Sequence, residues 1–222
     1  RHFQPDIQED AFYNYAKLAF DLGKDTGPFS EYLRKYKRRN DQVYSYMAMA
    51  ALVSHDYEAA VEAYDHIDEL DSRMKANYMK AYFLRARELM ETGSWRMAAP
   101  LLKSAAWYSP KTDGFYQLSR YYLGECLYRD GQWADARGEF TDLYNRNALR
   151  GRAEGALLPY HVAYSYFKEG DYTQALKWFN KYLEGRFPEA GEDAQTRVAD
   201  CYFFSGDYKT ALEAYQKEME LY

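Results

Sequence analysis

The chain repeats itself, and no other feature limits its fold as much. With the glycine of Gly206-Asp207-Tyr208 as a marker, the same turn recurs as Gly170-Asp171-Tyr172, Gly131-Gln132-Trp133, Gly93-Ser94-Trp95 and His55-Asp56-Tyr57. The markers at 206, 170, 131, 93 and 55 are 36, 39, 38 and 38 residues apart. A fixed period of this size marks a stacked array, in which no unit can bury its apolar face alone. Side-chain class repeats with the spacing. Seven residues before the marker sits a small residue: Ala199, Ala163, Gly124, Ala86 and Ala48. Two after it sits a large aromatic: Tyr208, Tyr172, Trp133, Trp95 and Tyr57. Five after it sits alanine every time: Ala211, Ala175, Ala136, Ala98 and Ala60. Nine after it sits a bulky apolar or aromatic residue: Tyr215, Phe179, Phe140, Leu102 and Tyr64. A looser sixth copy precedes these, with Ala16 seven before Gly23 and Tyr32 nine after it. There Pro28 takes the alanine place, so the second helix of that copy is expected to start late, with Pro28 in its first turn.

Each unit reads as two helices around a short turn. Between Ala156 and Glu169 the apolar residues Val162, Ala163, Tyr166 and Phe167 follow a three-four spacing. Gly170 supplies the positive φ that ends a helix. Asp171 is placed to cap the next helix, which carries Ala175, Leu176, Phe179 and Leu183. The small residue of the first helix and the alanine of the second let the two backbones approach, and the aromatics fill the space around that contact. His55 stands where the other turns have glycine, and histidine tolerates the left-handed region less easily than glycine does.

These residues make the chain resemble the tetratricopeptide-repeat family. The resemblance rests on the small residue, the Gly-Asp-Tyr turn, the alanine and the aromatic, and on Ser109-Pro110 at the end of the third unit. It runs from about Asp10 to Tyr222, with a period longer than the family's usual 34 or so. It implies an all-α fold: a right-handed superhelical solenoid of about six antiparallel helix-turn-helix repeats in a single array over 1–222. The repeats fall at approximately 10–40, 41–75, 76–112, 116–150, 154–188 and 192–222. The segment Phe187-Pro188-Glu189-Ala190 looks like the linkers of bacterial cell-envelope members, which favours the periplasm over the cytoplasm.

Composition narrows the function. Net charge is −5, from 29 Lys and Arg against 34 Asp and Glu, with both signs interspersed. Nucleic-acid binding would want a basic face, so it is not expected. The basic run Arg34, Lys35, Lys37, Arg38 and Arg39 falls at the end of a predicted helix, where cations suit the macrodipole. That reading is favoured over a docking patch for an acidic partner or lipid headgroup. No stretch approaches the 18 or so apolar residues of a membrane span. The chain begins at Arg1 rather than methionine, which reads as a processed or excised piece. Cys126 and Cys201 each lie five residues before a turn glycine, two units apart. That is too far for a disulfide, so both are expected to be small buried residues.

Catalytic and metal-binding patterns do not emerge. The four histidines, His2, His55, His66 and His161, show no HExxH spacing, and no Cys-x-x-Cys occurs. There is no phosphate-binding glycine loop and no Gly-x-Ser-x-Gly elbow. Neither cofactor nor metal is expected, and the chain does not read as an enzyme.

The aromatics point elsewhere. In the family that this chain resembles, the first helix of each unit lines the concave surface. Its outward positions lie ten, six, three and two before the marker. Ten before gives Tyr13, Ser45, Phe83, Tyr121, Tyr160 and Thr196. Six before gives Lys17, Met49, Arg87, Glu125, Tyr164 and Asp200. Three before gives Phe20, Leu52, Met90, Tyr128, Phe167 and Phe203. This is a ladder of aromatic and Met residues with charges between them, and a contiguous exposed patch of that kind marks a binding surface. The alternative is that curvature buries these side chains against the next unit. The expected groove comprises Tyr13, Lys17, Phe83, Arg87, Tyr121, Glu125, Tyr128, Tyr160, Tyr164, Phe167, Asp200 and Phe203. Some family members hold a C-terminal carboxylate with Lys and Asn at inner positions. The six-before positions here contain no asparagine, which argues against that clamp.

The expected function is a non-enzymatic scaffold that binds a peptide or helix of a partner protein between the inner aromatics. Lys17, Arg87, Glu125 and Asp200 would fix polarity and register. Two other readings stand beside it: a structural segment of a longer array, and a carbohydrate-binding protein or enzyme using the aromatic groove. Solenoids need polar units at their ends. The row Ala211, Leu212, Tyr215 and Met219 would lack a cover, which predicts self-association through the C-terminal helix.

Overall fold

The structure is a computed structural model, and it describes residues 5–185 and 190–221. Among the described residues there are twelve helices and no strand. They divide between two compact units, residues 1–88 and 89–222.

The first unit contains α1 (Pro5–Gly23), α2 (Gly27–Lys35), α3 (Asn40–Val53), α4 (Tyr57–Asp65) and most of α5 (Ser72–Glu91). Its first pair closes around Tyr13, Ala16, Phe20, Phe29, Tyr32 and Val43. Pro28 sits in the first turn of a nine-residue α2, as expected from its preset φ. The positive φ of this turn falls on Lys24 rather than on Gly23. The first repeat thus turns one residue later than its marker, and helix α1 is correspondingly long. A buried acid staples the end of α2 to α1. Glu9 accepts from the Tyr32 hydroxyl and from the Arg38 amide at 3.0 Å. Asp10 pairs with both Arg38 (2.6 Å) and Arg39 (2.8 Å). Two cations of the basic run are therefore paired with α1 while staying partly exposed.

The second unit contains α6 (Trp95–Trp107), α7 (Gly114–Arg129), α8 (Trp133–Asn145), α9 (Ala153–Glu169), α10 (Tyr172–Glu184), α11 (Gly191–Phe204) and α12 (Tyr208–Leu221). Consecutive helices pack on one another along this series. The turn chemistry is as the sequence predicts. Gly93, Gly131, Gly170 and Gly206 have φ near +80°, and His55 matches them at φ 60°. Asp171 accepts from the Gln174 amide at 3.0 Å, Asp207 from Thr210 at 3.1 Å and Asp56 from Ala59 at 3.0 Å. Each is a side-chain cap on an otherwise orphaned amide.

Close approach is visible within the pairs. Ala60, Ala98, Ala136, Ala175 and Ala211 are buried, as are Ala48, Ala86, Ala163 and Ala199. At Gly124 even a methyl group would meet the Phe140 ring, at 2.6 Å. Cys126 and Cys201 are free and buried, and burial raises their thiols to about 11 and about 12. Pro100 and Pro159 lie inside α6 and α9 rather than at turns, each removing one hydrogen-bond donor from its helix. The Phe187-Pro188-Glu189 part of the linker lies outside the described residues.

Candidate functional site

The four sequence-selected residues of the first unit do not form an open surface there. Tyr13 is 8% exposed, packed against Tyr32 with the Arg39 guanidinium 4.8 Å over its ring. Phe83 is also buried, Arg87 half-buried, and Lys17 exposed on α1. The packing alternative describes Tyr13 and Phe83.

In the second unit the register brings aromatics of successive first helices together. The Tyr128 ring of α7 meets Tyr164 of α9 edge to face, with centroids 6.2 Å apart. Tyr164 lies 5.2 Å from Tyr160 and 6.0 Å from Phe167, the neighbours three and four residues away on the same helix face. All four are half-buried, so each keeps part of its ring at the surface. Phe167 continues into a second set. Phe204 of α11 is 6.1 Å from it and stacks on Tyr172 at 5.3 Å, and Phe203 is 5.5 Å from Phe204 and 5.4 Å from Tyr208. Phe203, Phe204 and Tyr208 are largely exposed. A row of rings thus runs along the turn side of three successive pairs.

Beside this row lies a cavity of about 370 Å³. Its walls are Tyr128, Tyr160, Tyr164, Phe140 and His161, with Glu125, Arg129 and Lys168 also lining it. Tyr121 does not face it. At 3% exposed it sits beneath, its hydroxyl 2.8 Å from His161 Nε2. Glu125 Oε1 is 3.4 Å from the same nitrogen and accepts from the Tyr121 hydroxyl. The imidazole stacks on Phe140, with centroids 4.8 Å apart. Burial, with the Arg129 charge, holds the His161 pKa down to about 4, so the ring is neutral at pH 7. Burial raises the Tyr128 hydroxyl to about 12, and it raises Tyr160 and Tyr121 further. All three are hydrogen-bonding phenols rather than phenolates.

The polar group that holds the row is Arg197 of α11. Its guanidinium lies 5.8 Å from the Tyr164 centroid and 5.9 Å from that of Phe167. It pairs with Asp193 at 3.1 Å and Asp200 at 2.5 Å. Burial works to lower its pKa, but the Asp193 hydrogen bond and the surrounding negative charge carry it up. Asp193 also accepts from Tyr160 at 2.7 Å, and Asp200 from Tyr215 at 2.5 Å. Asp200 is therefore tied up inside the protein rather than pointed at a partner.

Sequence reasoning missed Arg197 and His161. Both lie nine residues before a turn glycine, a register not among the outward positions considered. That place holds Tyr46, Leu84, Tyr122, His161 and Arg197. Four of the five are planar π groups. Tyr46 stacks on Phe29 (5.2 Å, 11° between planes), His161 on Phe140 (21°), and Arg197 lies over Tyr164 and Phe167. In each case the plate belongs to one pair and the ring beneath it to the pair before. The pattern was present in the sequence.

Antiparallel helix pairs on a fixed period, joined by glycine turns and packed in series, define an α-helical repeat protein. Two family models described as tetratricopeptide repeat match the chain, over residues 83–148 and 160–184. Those two stretches carry tetratricopeptide repeats. Solved structures share the fold. A MamA crystal structure aligns with a TM-score of 0.59 at 16% identity, covering 83% of this chain and 92% of that one. BtubC from P. vanneervenii aligns with a TM-score of 0.57 at 13% identity, covering 99% and 91%. A putative kinesin light chain with nearly identical TPR-like repeats from Podosopora anserina gives 0.56 at 14%, covering 83% and 96%. At such identities the likeness concerns the fold alone. No match was found among curated proteins.

Proposed function

We propose that this protein is a non-enzymatic scaffold that holds a segment of a partner protein against the aromatic row of the second unit. The fold supports a protein–protein interaction scaffold generally, and repeat proteins of this family are generally not enzymes. The observation that carries the finer reading is the continuity of the row. Tyr128, Tyr160 and Phe167 all meet Tyr164 beside a cavity, and Phe203, Phe204 and Tyr208 extend them with large exposed surface. Contiguous exposed aromatics are costly in water and mark contact sites, and tyrosine is prominent among residues that dominate interface energy. Arg197, locked between two carboxylates, fixes the orientation of Tyr164 and Phe167 before any partner arrives. Such preorganisation lowers the cost of binding.

The test is selection of a displayed random-peptide library on the protein, followed by Tyr128→Ala with Tyr164→Ala. Truncating a buried aromatic anchor costs at least about 2 kcal/mol, roughly thirtyfold in affinity. Capture should be lost while helicity and cooperative melting are kept. Collapse of the fold would assign these rings to packing. Unchanged capture would place the partner elsewhere.

A second reading has its own observation. On α12, Leu212 is 58% and Met219 77% exposed. That face supports self-association through α12. Light scattering across a hundredfold or so concentration range tests it, and a strictly monomeric protein removes it.

A further inference from the structure

We infer that the segment held against the Tyr128–Tyr164 row is acidic, placing side-chain carboxylates on Arg129 and Lys168 and an apolar side chain in the cavity beside them. This rests on the groove reading above and adds the partner's chemistry to it.

The argument is one of charge left over. The chain carries a net charge of −5, yet the carboxylates around this site are already committed. Asp193 and Asp200 are paired with Arg197. Glu125 accepts from Tyr121 and lies beside His161. Glu169 pairs with Arg137, and Asp130 with Arg96. The two cations that line the cavity are in the opposite condition. Among the described residues no carboxylate lies within ion-pair distance of Arg129 or Lys168. Their contacts are aromatic faces. The Arg129 guanidinium sits 4.1 Å over Trp95, and Lys168 Nζ is 6.0 Å from the Tyr164 centroid.

A guanidinium laid on a ring keeps its in-plane N–H donors, which match a carboxylate bidentately. Stacking also restricts its rotamers before binding. Arg129 and Lys168 occupy the same register, two before the turn glycine, on successive first helices. One segment crossing from α7 to α9 therefore meets both. Between them the cavity offers ring walls and, beneath, the Phe140–His161 stack. An acid–apolar–acid order in the partner satisfies all three elements. A basic segment would meet two unpaired cations and no free carboxylate.

The test uses synthetic peptides blocked at both ends, each with a Phe-Leu centre flanked on both sides by glutamates, glutamines or lysines. Binding is measured by calorimetry at low and high salt. The glutamate peptide is expected to bind about tenfold or more tighter than the glutamine peptide, with an advantage that shrinks as salt rises. The lysine peptide should not bind. Arg129→Gln with Lys168→Gln should erase the glutamate peptide's advantage over the glutamine peptide. Equal affinities for glutamate and glutamine peptides overturn the inference. So does tighter lysine binding, or failure of all three peptides at about 1 mM. A glutamine peptide with a free C-terminus that alone binds would show a terminal rather than a side-chain carboxylate, and overturns it too. Tyr128→Ala with Tyr164→Ala separates the two readings. If the glutamate advantage survives those changes, the cations select acid and the aromatic groove reading fails. If the advantage is absent while all peptides lose affinity with the tyrosines, the groove stands and the acidic partner does not.

Discussion

Replacing Gly124 by alanine sets two effects of known size against each other. Gly124 lies inside α7 at the small-residue position, and an added Cβ would fall 2.6, 2.8 and 3.1 Å from three carbons of the Phe140 ring. That ring has nowhere to go. It is fully buried, His161 stacks on it at 4.8 Å and Tyr121 packs against it at 5.9 Å. Overpacking of a tight core costs about 1–3 kcal/mol. Alanine in a helix interior returns about 1 kcal/mol over glycine. The clash should outweigh that gain over most of its range, for a net loss of up to about 2 kcal/mol. Gly138 in α8 supplies the control, since an added methyl group there meets nothing within 4 Å. Gly138→Ala should gain about 0.5–1 kcal/mol from propensity and unfolded-state entropy. Urea denaturation followed by circular dichroism reads both. An array can lose two-state behaviour, so the slope as well as the midpoint must be compared. If both substitutions raise the midpoint alike, Phe140 does not press on α7, and the close crossing inferred for this pair is refuted.

Other expectations are shorter to state. With the His161 pKa moved from 6.5 to about 4, the unfolded chain binds a proton that the native one does not between those values. Stability from this group is therefore complete above about pH 6.5 and falls as pH drops toward 4, by about 3 kcal/mol at most. His161→Gln should lack that segment of the pH curve, and an NMR titration placing His161 near 6.5 would contradict it. Cys126 and Cys201, with thiols raised to about 11 and about 12 by burial, should react with a thiol reagent only when urea opens the fold; rapid native labelling of both counts against their placement. Ala136→Leu and Ala175→Leu should each cost about 1–3 kcal/mol, because both methyl groups are fully buried at helix crossings. Unchanged denaturation midpoints would deny that.

The fold was readable because its punctuation is chemical. Glycine at four turns, histidine at a fifth and a capping aspartate one residue later at three of them specify backbone states that few other residues satisfy, and each was found in place. The small residues and the cysteines were legible for the same reason, since repetition at a fixed register separates core from surface. The site was half legible. Tyr128, Tyr160, Tyr164 and Phe167 were selected by register and do come together. Tyr13, Phe83 and Tyr121 were selected by the same rule and are buried. Helical periodicity says which side of a helix a residue occupies. How deeply the neighbouring helix covers that side depends on the crossing between pairs, which one helix's sequence does not encode. Arg197 was passed over because a charged residue on a helix reads as solvated until its two carboxylates and two rings are seen around it.

The plates at the nine-before position bear on how such a protein can be cut and rejoined. His161 belongs to α9 but rests on Phe140 of α8, and Arg197 belongs to α11 but lies over Tyr164 and Phe167 of α9. A chimera that swaps whole helix pairs preserves every glycine turn and every alanine crossing, yet it parts each plate from its ring. The cavity wall and the orientation of the aromatic row would go with them. Helix pairs in this chain are therefore not interchangeable parts: what a pair contributes to the site is settled by which pair precedes it, and the order of the repeats is itself inherited information.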